Sequence, residues 1–214
     1  MNTIIFANGI MEKRPAGLGD LSSFDLLIPA DGGLALCLQF GAVPHILVGD
    51  MDSVEKADLE RIKAEGVEIV RRPVRKDETD LELALKAALE KGADQITVVG
   101  ALGARWDMTF INVLMLGADY LDGIDVRIVD GNTEIRRMKG PETLDLAGKP
   151  GDGLSIMPIS GRAEGVTLAG LEYPLDDEDL PFGSTRGLSN VFAANKATVS
   201  LKKGRVLMMI KWGE

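Results

Sequence analysis

Over roughly its first 130 residues the chain alternates short apolar runs with stretches of helical periodicity, and several runs end on glycine or aspartate. Thr3 to Ala7 opens the series as a strand. Asp25 to Ala30 is the next, ending at Asp31-Gly32-Gly33, and Leu34 to Phe40 then reads as a helix stopped by Gly41. Ile46 to Val48 is a buried strand ending at Gly49-Asp50. Ser53 is placed to cap a helix from Val54 to Glu65, which Gly66 ends. Val67 to Val70 is a strand. Thr79 or Asp80 opens a helix to Lys91 with Leu81, Ala84, Leu85 and Ala88 on one face. Ile96 to Val99 is a strand ending at Gly100, Asp107 to Leu121 is helical, and Val126 to Val129 is a strand. Strands that alternate with helices need crossover connections, so this order predicts a parallel sheet covered on both faces.

After about Asp130 the helical period disappears. Glu134 to Met138, Leu154 to Ile159, Ala163 to Leu168, Ala197 to Leu201 and Arg205 to Ile210 read as short strands. Lys202-Lys203-Gly204 between the last two is a hairpin signal, and Asp176-Asp177-Glu178-Asp179 reads as a solvated acidic loop. The expected architecture is two domains. Residues 1–130 form a three-layer α/β domain on a mostly parallel, Rossmann-like sheet, and residues 131–214 an antiparallel β-sandwich.

Composition removes several classes of function. Cys37 is the only cysteine and His45 the only histidine, so a cysteine zinc site, an internal disulfide and a histidine triad lack material. Cys37 lies in an apolar run and reads as core. The formal charge of -9 opposes nonspecific nucleic-acid binding. No run approaches the roughly 20 apolar residues of a membrane helix. The start, Met1 to Phe6, lacks the basic and long apolar regions of a signal peptide. A reducing cytoplasm is the expected setting.

In open parallel sheets, ligands bind beyond the carboxyl ends of the strands. Asp31, then Asp50, Asp52 and Ser53, then Lys76, Asp77, Thr79 and Asp80, then Arg105 and Asp107 all sit at or near such ends. Gly49-Asp50-Met51-Asp52-Ser53 has two readings: carboxylates gathered on a hard cation such as Mg²⁺, or acidic capping of a helix start. Arg75 to Asp80 likewise reads as a phosphate contact through Lys76 and Thr79, or as a capping box. Gly100-Ala101-Leu102-Gly103 allows close backbone approach to a nucleotide, although neither G-x-G-x-x-G nor a P-loop occurs. Asn112, on the helix that follows, is either polar packing or a site residue.

Taken in order, these motifs resemble the thiamine pyrophosphokinase family, also called thiamine diphosphokinases. The resemblance rests on Asp31-Gly32-Gly33, Gly49 to Ser53, Lys76 to Ala84, Gly100 to Asp107 with Asn112, Gly170 to Leu175, and Leu188-Ser189-Asn190. It implies a catalytic α/β domain joined to a thiamine-binding β-sandwich, working as a homodimer with active sites between subunits. It also implies transfer of the pyrophosphoryl group of ATP to the thiamine hydroxyl, with Mg²⁺. By resemblance, Asp50, Asp52 and Asp80 hold metal and phosphate, with Asp31, Ser53, Asp77, Thr79, Gly100, Gly103 and Asn112 as supports. Lys76 and Arg105 offset charge on the transferred group, Asp107 orients or deprotonates the hydroxyl, and Ser189 and Asn190 hold thiamine. The chain departs from the family pattern at His45, Ala104, Met108 and Val191. A pterin-alcohol diphosphokinase and a non-catalytic thiamine or nucleotide sensor are the competing functions.

Overall fold

The computed structural model describes residues 1–71, 77–103 and 105–213. The chain divides into two compact units. The first comprises Met1–Met115 and Leu121–Gly131; the second comprises Leu116–Tyr120 and Asn132–Glu214.

The first unit runs β1 (Asn2–Phe6), β2 (Leu26–Pro29), α1 (Gly33–Gln39), β3 (Ile46–Gly49), α2 (Lys56–Ala64), β4 (Glu68–Arg71), α3 (Asp80–Glu90), β5 (Gln95–Val99), α4 (Trp106–Met115) and β6 (Asp125–Asp130). Strands stand in the order β6-β5-β1-β2, all parallel. A parallel pair β3-β4 joins the β2 end through a single bridge, Ala30 to Val48. Ile4, Ile5 and Phe6 of β1 are fully buried, as a central strand covered on both sides requires. Parallel strands share a direction, so the segments after β1, β2 and β5 leave one edge of the sheet.

Local signals account for most of these elements. Thr79 caps α3 by accepting a hydrogen bond from the Glu82 N–H at 3.2 Å, the Thr-x-x-Glu pattern of a capping box. Leu81, Ala84, Leu85 and Ala88 form its buried face. Two helices are shorter than their sequence pattern. Ser53 does not cap α2, which begins at Lys56 with Glu55 in the cap position and no side-chain cap bond. The Ser53 hydroxyl donates instead to Asp52 Oδ1 at 2.9 Å. α4 ends at Met115, before Gly117, and a separate turn of 3-10 helix covers Asp119–Leu121.

The second unit contains β7 (Thr133–Lys139), β8 (Glu142–Ala147), β9 (Gly153–Pro158), β10 (Ala163–Ala169), β11 (Leu175–Leu180), β12 (Asn190–Val191), β13 (Lys196–Leu201) and β14 (Arg205–Lys211). They form two antiparallel groups, β12-β9-β14-β7 and β11-β10-β13-β8. Leu154, Ile156, Val206, Met208 and Ile210 from the first group share one core with Leu146, Val166, Leu168, Ala197, Val199 and Leu201 from the second. Two faces meeting in one core make a sandwich.

Two expectations change here. Lys202-Lys203-Gly204 is not a hairpin: β13 pairs with β10 and β8, whereas β14 pairs with β7 and β9. The segment carries the chain from one sheet to the other. Its corner is held by the Lys202 and Lys203 N–H groups, both donating to the Glu164 carbonyl. Gly204 adopts φ 102°, and a Cβ there would stand 2.6 Å from the Arg162 carbonyl oxygen. The acidic run 176–179 lies in edge strand β11 rather than a loop. Its charges are paired across the surface: Asp177 with Lys202 (2.6 Å), Glu178 with Arg186 (3.1 Å) and Asp179 with Arg162 (3.2 Å). Charge on an edge strand discourages pairing with other chains.

Asp152 ties the end of this unit down. Its buried carboxylate accepts the Lys149 and Gly213 N–H groups, each at 2.7 Å.

Candidate active site

The loops leaving β1, β2 and β5, with the segment after β3, enclose a cavity of about 470 Å³ in the first unit. Glycine makes this convergence possible. A Cβ on Gly9 would lie 2.2 Å from the Gly100 carbonyl oxygen, and one on Gly33 would lie 2.0 Å from that of Phe6. No side chain fits at those distances, so the strand ends meet backbone to backbone. The Gly9 N–H donates to the Gly100 carbonyl at 2.7 Å.

On one side stand Asp31, Asp50 and Asp52, each bringing one carboxylate oxygen within 4.8 Å of one from each of the others. Asp31 is 4% exposed and its Oδ1 has no hydrogen-bond partner. Both Asp31 (φ 46°) and Met51 (φ 70°) occupy the left-handed region, unusual for residues other than glycine. Burial pushes the Asp31 carboxyl above its ordinary value; the nearby Ser53 side chain and Gly32 backbone pull it down, and the nearby Asp80 and Asp50 charges raise it further. Clustered carboxylates with an orphaned buried oxygen fit a hard divalent cation that takes oxygen ligands, such as Mg²⁺. The family resemblance groups Asp50 and Asp52 with Asp80. Asp80 lines the same cavity, but Asp31 is the third member of the close cluster.

A raised carboxyl pKa in the folded protein means that ionised Asp31 costs stability, and the cost is present above its folded pKa. As pH falls through that value toward the ordinary 3.8, the folded state takes up the proton first and the cost disappears. Asp31→Asn should therefore unfold at a higher temperature than the parent at neutral pH in chelator. The gap should narrow as pH approaches the ordinary carboxylate value. Thermal unfolding of both proteins across a pH series checks this; a constant gap would contradict it.

The other side of the cavity is the glycine turn. Gly100 and Gly103 have φ 66° and 149°. Thr109 on α4 braces the turn, its hydroxyl accepting from the Gly103 N–H at 3.2 Å. Asn112 is buried, donates to the Ala101 carbonyl at 2.8 Å, and leaves Oδ1 without a partner. Arg105 reaches the cavity while making a two-pronged ion pair with Asp107, at 2.6 and 3.2 Å. That guanidinium, helped by the Met108 N–H, holds the Asp107 carboxyl below the usual carboxylate range. A carboxylate so held is a poor proton acceptor and a good anchor for Arg105.

Of the residues singled out from sequence, Asp31, Asp50, Asp52, Ser53, Asp80, Gly100, Gly103, Arg105 and Asn112 line this one cavity. Asp107 enters through Arg105. Thr79 is the α3 cap, and Asp77 is exposed just before it. Lys76 lies outside the described residues. Ser189 and Asn190 belong to the second unit. Asn8, Gly9 and Ile10 also line the cavity, although no motif singles them out. The signal was present: Asn8-Gly9 directly follows an apolar strand, as Gly49-Asp50 and Gly100 do.

Two tempting residues have structural roles. His45 Nδ1 accepts the Leu27 N–H at 3.0 Å, an acceptor's place on the sheet margin. Cys37 is fully buried, with its thiol pushed up to about 12 by burial.

Residues 20–128 match the family model of the thiamin pyrophosphokinase catalytic domain, and residues 141–206 match that of the vitamin B1 binding domain. The chain belongs to the thiamine pyrophosphokinase family. Within this family, the thiamine pyrophosphokinase of Bacillus subtilis is 32% identical over 213 residues, 99% of each chain. The crystal structure of a Bacillus subtilis thiamine pyrophosphokinase superposes with TM-score 0.87 at 30% identity, covering 100% of both chains. That of Geobacillus thermodenitrificans gives 0.85 at 28%, covering 100% of this chain and 99% of the other. The family's two-part fold of α/β domain and β-sandwich is the one described above. No helix among the described residues is long and apolar enough to cross a membrane.

Proposed function

We propose that this protein transfers the pyrophosphoryl group of ATP to the hydroxyl of thiamine, giving thiamine diphosphate and AMP, with Mg²⁺. The observation that carries this reading is the Asp31-Asp50-Asp52 cluster facing a glycine turn and Arg105 across one cavity, within the stretch that matches the catalytic-domain model. In this reading residues 1–130 are the catalytic domain and residues 131–214 bind thiamine.

The thiamine oxygen attacks the β-phosphorus, the bond from that phosphorus to the oxygen bridging it to the α-phosphorus breaks, and AMP leaves with that oxygen. Positioning and charge neutralisation supply most of the acceleration in such transfers. Asp31, Asp50 and Asp52 would hold Mg²⁺, which when bound neutralises phosphate charge. Asp80 stands beside them toward the phosphates. Gly9, Gly100 and Gly103 let the phosphate chain approach the backbone, with Asn112 beneath the turn. Arg105, together with Lys76, offsets charge on the moving group. Asp107 orients Arg105, and the hydroxyl proton passes to another acceptor.

The acting form is a homodimer with active sites at the subunit interface. Trp106, Phe110 and Leu114 repeat every four residues along α4, with 74%, 63% and 49% of their surface exposed. An apolar stripe of this kind marks an association surface. It begins one residue after Arg105, so a second copy seated there would border the cavity. The lone, buried Cys37 suits a reducing cytoplasm.

AMP release from ATP should require both thiamine and Mg²⁺, with thiamine diphosphate identified by mass. Thiamine binding without AMP release would favour a sensor. AMP release with hydroxymethylpterin but not thiamine would favour the pterin kinase.

A further inference from the structure

Asn8 and Gly9 form the one Asn-Gly pair in the sequence. In such a pair the glycine backbone nitrogen can attack the side-chain carbonyl carbon of asparagine, because no Cβ hinders its approach. A side chain at position 9 would slow that attack, yet the fold excludes one. A Cβ on Gly9 would lie 2.2 Å from the Gly100 carbonyl oxygen and 2.4 Å from that of Leu102. The ends of β1 and β5 meet here backbone to backbone, so the chain must carry glycine directly after Asn8.

The same packing restrains the reaction. The Ala7 N–H donates to the Val99 carbonyl at 2.8 Å and the Gly9 N–H to the Gly100 carbonyl at 2.7 Å, which carries the β1–β5 pairing on past both strands. To attack, the Gly9 nitrogen must lose its proton and turn toward Asn8, and this bond holds both the proton and the peptide plane. The Asn8 amide is packed against Gly32, where a Cβ would lie 2.4 Å from Nδ2 and 2.5 Å from Cγ. β1 lies between β5 and β2, so Gly9 is released only by an opening beside the central strand. Asn8 is exposed, and water reaches it.

We propose that Asn8-Gly9 is a site of self-modification, held off in the closed fold by the Gly9–Gly100 bond, and that its carboxylate product weakens phosphate binding in the cavity. The Gly9 nitrogen bonds to Asn8 Cγ, the Cγ–Nδ2 bond breaks, and Nδ2 leaves as ammonia with the proton from Gly9. Water then opens the cyclic imide, giving aspartate or its isomer with the backbone routed through the side chain. Nothing is oxidised or reduced. Aspartate adds a carboxylate to a cavity already lined by Asp31, Asp50, Asp52 and Asp80. The isomer lengthens the backbone by a carbon where the contacts of Gly9 leave no room. The effect on phosphate rests on the function proposed above; the modification itself does not.

The experiment holds the full-length protein at mildly alkaline pH in native buffer and in urea, and follows each asparagine by mass spectrometry of its proteolytic peptide. In urea Asn8 should convert faster than Asn2, Asn112, Asn132, Asn190 and Asn195, none of which precedes glycine. In native buffer its conversion should be at least about a hundredfold slower, equivalent to an opening free energy of about 2.8 kcal/mol. Equal rates in the two buffers would overturn the proposal, as would another asparagine converting first in urea. Asn8→Asp should weaken ATP binding in Mg²⁺ by about tenfold relative to the neutral Asn8→Ser, the scale of one charge added near phosphate. Equal affinities in these two variants would also overturn it. The peptide masses decide the modification whether or not Asn8→Asp folds. Wild-type enzyme that binds ATP but releases no thiamine-dependent AMP would overturn the proposed function alone.

Discussion

Asp50→Asn is expected to cut thiamine-dependent AMP release by about a hundred- to a thousandfold, the scale set by losing one preorganised charge contact at a phosphoryl-transfer centre. The substitution removes one negative oxygen from three carboxylates that meet within 4.8 Å. Cation affinity should fall, so the Mg²⁺ concentration giving half-maximal rate should rise alongside the loss in kcat. The fold should not suffer. Asp50 is only half-buried, and without a cation its charge repels those of Asp31 and Asp52. In chelator the variant should melt no lower than the parent. Turnover within about tenfold of wild type at saturating Mg²⁺, little more than 1 kcal/mol in barrier, would remove Asp50 from the cation site.

Phe192→Ala is expected to act in the opposite way, on stability before chemistry. Phe192 is among the largest fully buried side chains and lies in the sandwich core. Its ring stands 6.3 Å from that of Trp212, centroid to centroid. Gly148 is shaped around it: a Cβ there would lie 2.6 Å from Phe192 Cε1. With glycine opposite, no side chain is available to fill the space left by alanine. The cost should be about 3–5 kcal/mol, as for other fully buried aromatics cut to alanine. That is a large share of the 5–15 kcal/mol that typically holds a domain together. Trp212 reports on this unit, and a Trp106→Phe background silences the other tryptophan, so urea unfolding followed by fluorescence measures the effect. A loss below about 1 kcal/mol would mean that the core closes over the gap.

The two substitutions separate the contributions of the two units. One should leave folding intact and stop turnover; the other should weaken the sandwich with the carboxylate cluster untouched. Assaying both for melting and for AMP release tests that separation directly.

Much of this protein was legible without coordinates because its signals act over a few residues. The capping box from Thr79 to Glu82 and the three-and-four spacing of Leu81, Ala84, Leu85 and Ala88 specify α3 locally. Alternating strands and helices specify a parallel sheet, and a parallel sheet sends its loops to one edge. Strand direction alone puts Asp31, Asp50, Asp52, Asp80, Gly100 and Arg105 at or near that edge. The end of β1 puts Asn8 and Gly9 there as well.

Long-range pairing decided the rest. Lys202-Lys203-Gly204 carries a hairpin signal, yet its flanking strands lie in different sheets, because the partners of β13 and β14 come from distant parts of the chain. Asp31 and Asp50 are 19 residues apart, and they meet because β2 and β3 end side by side through the Ala30–Val48 bridge. No local pattern distinguishes Asp31 from Asp80 as the third carboxylate of the cluster. Asn190 is the plainest case. Its side chain hydrogen-bonds both backbone groups of Tyr173, 17 residues earlier, a pairing that no local pattern announces. Sequence by itself determined the helices and strands of the first unit, the sheet edge and the chemical character of the site. Tertiary structure decided which side chains reach one another, because those distances depend on strand order and register across the whole chain.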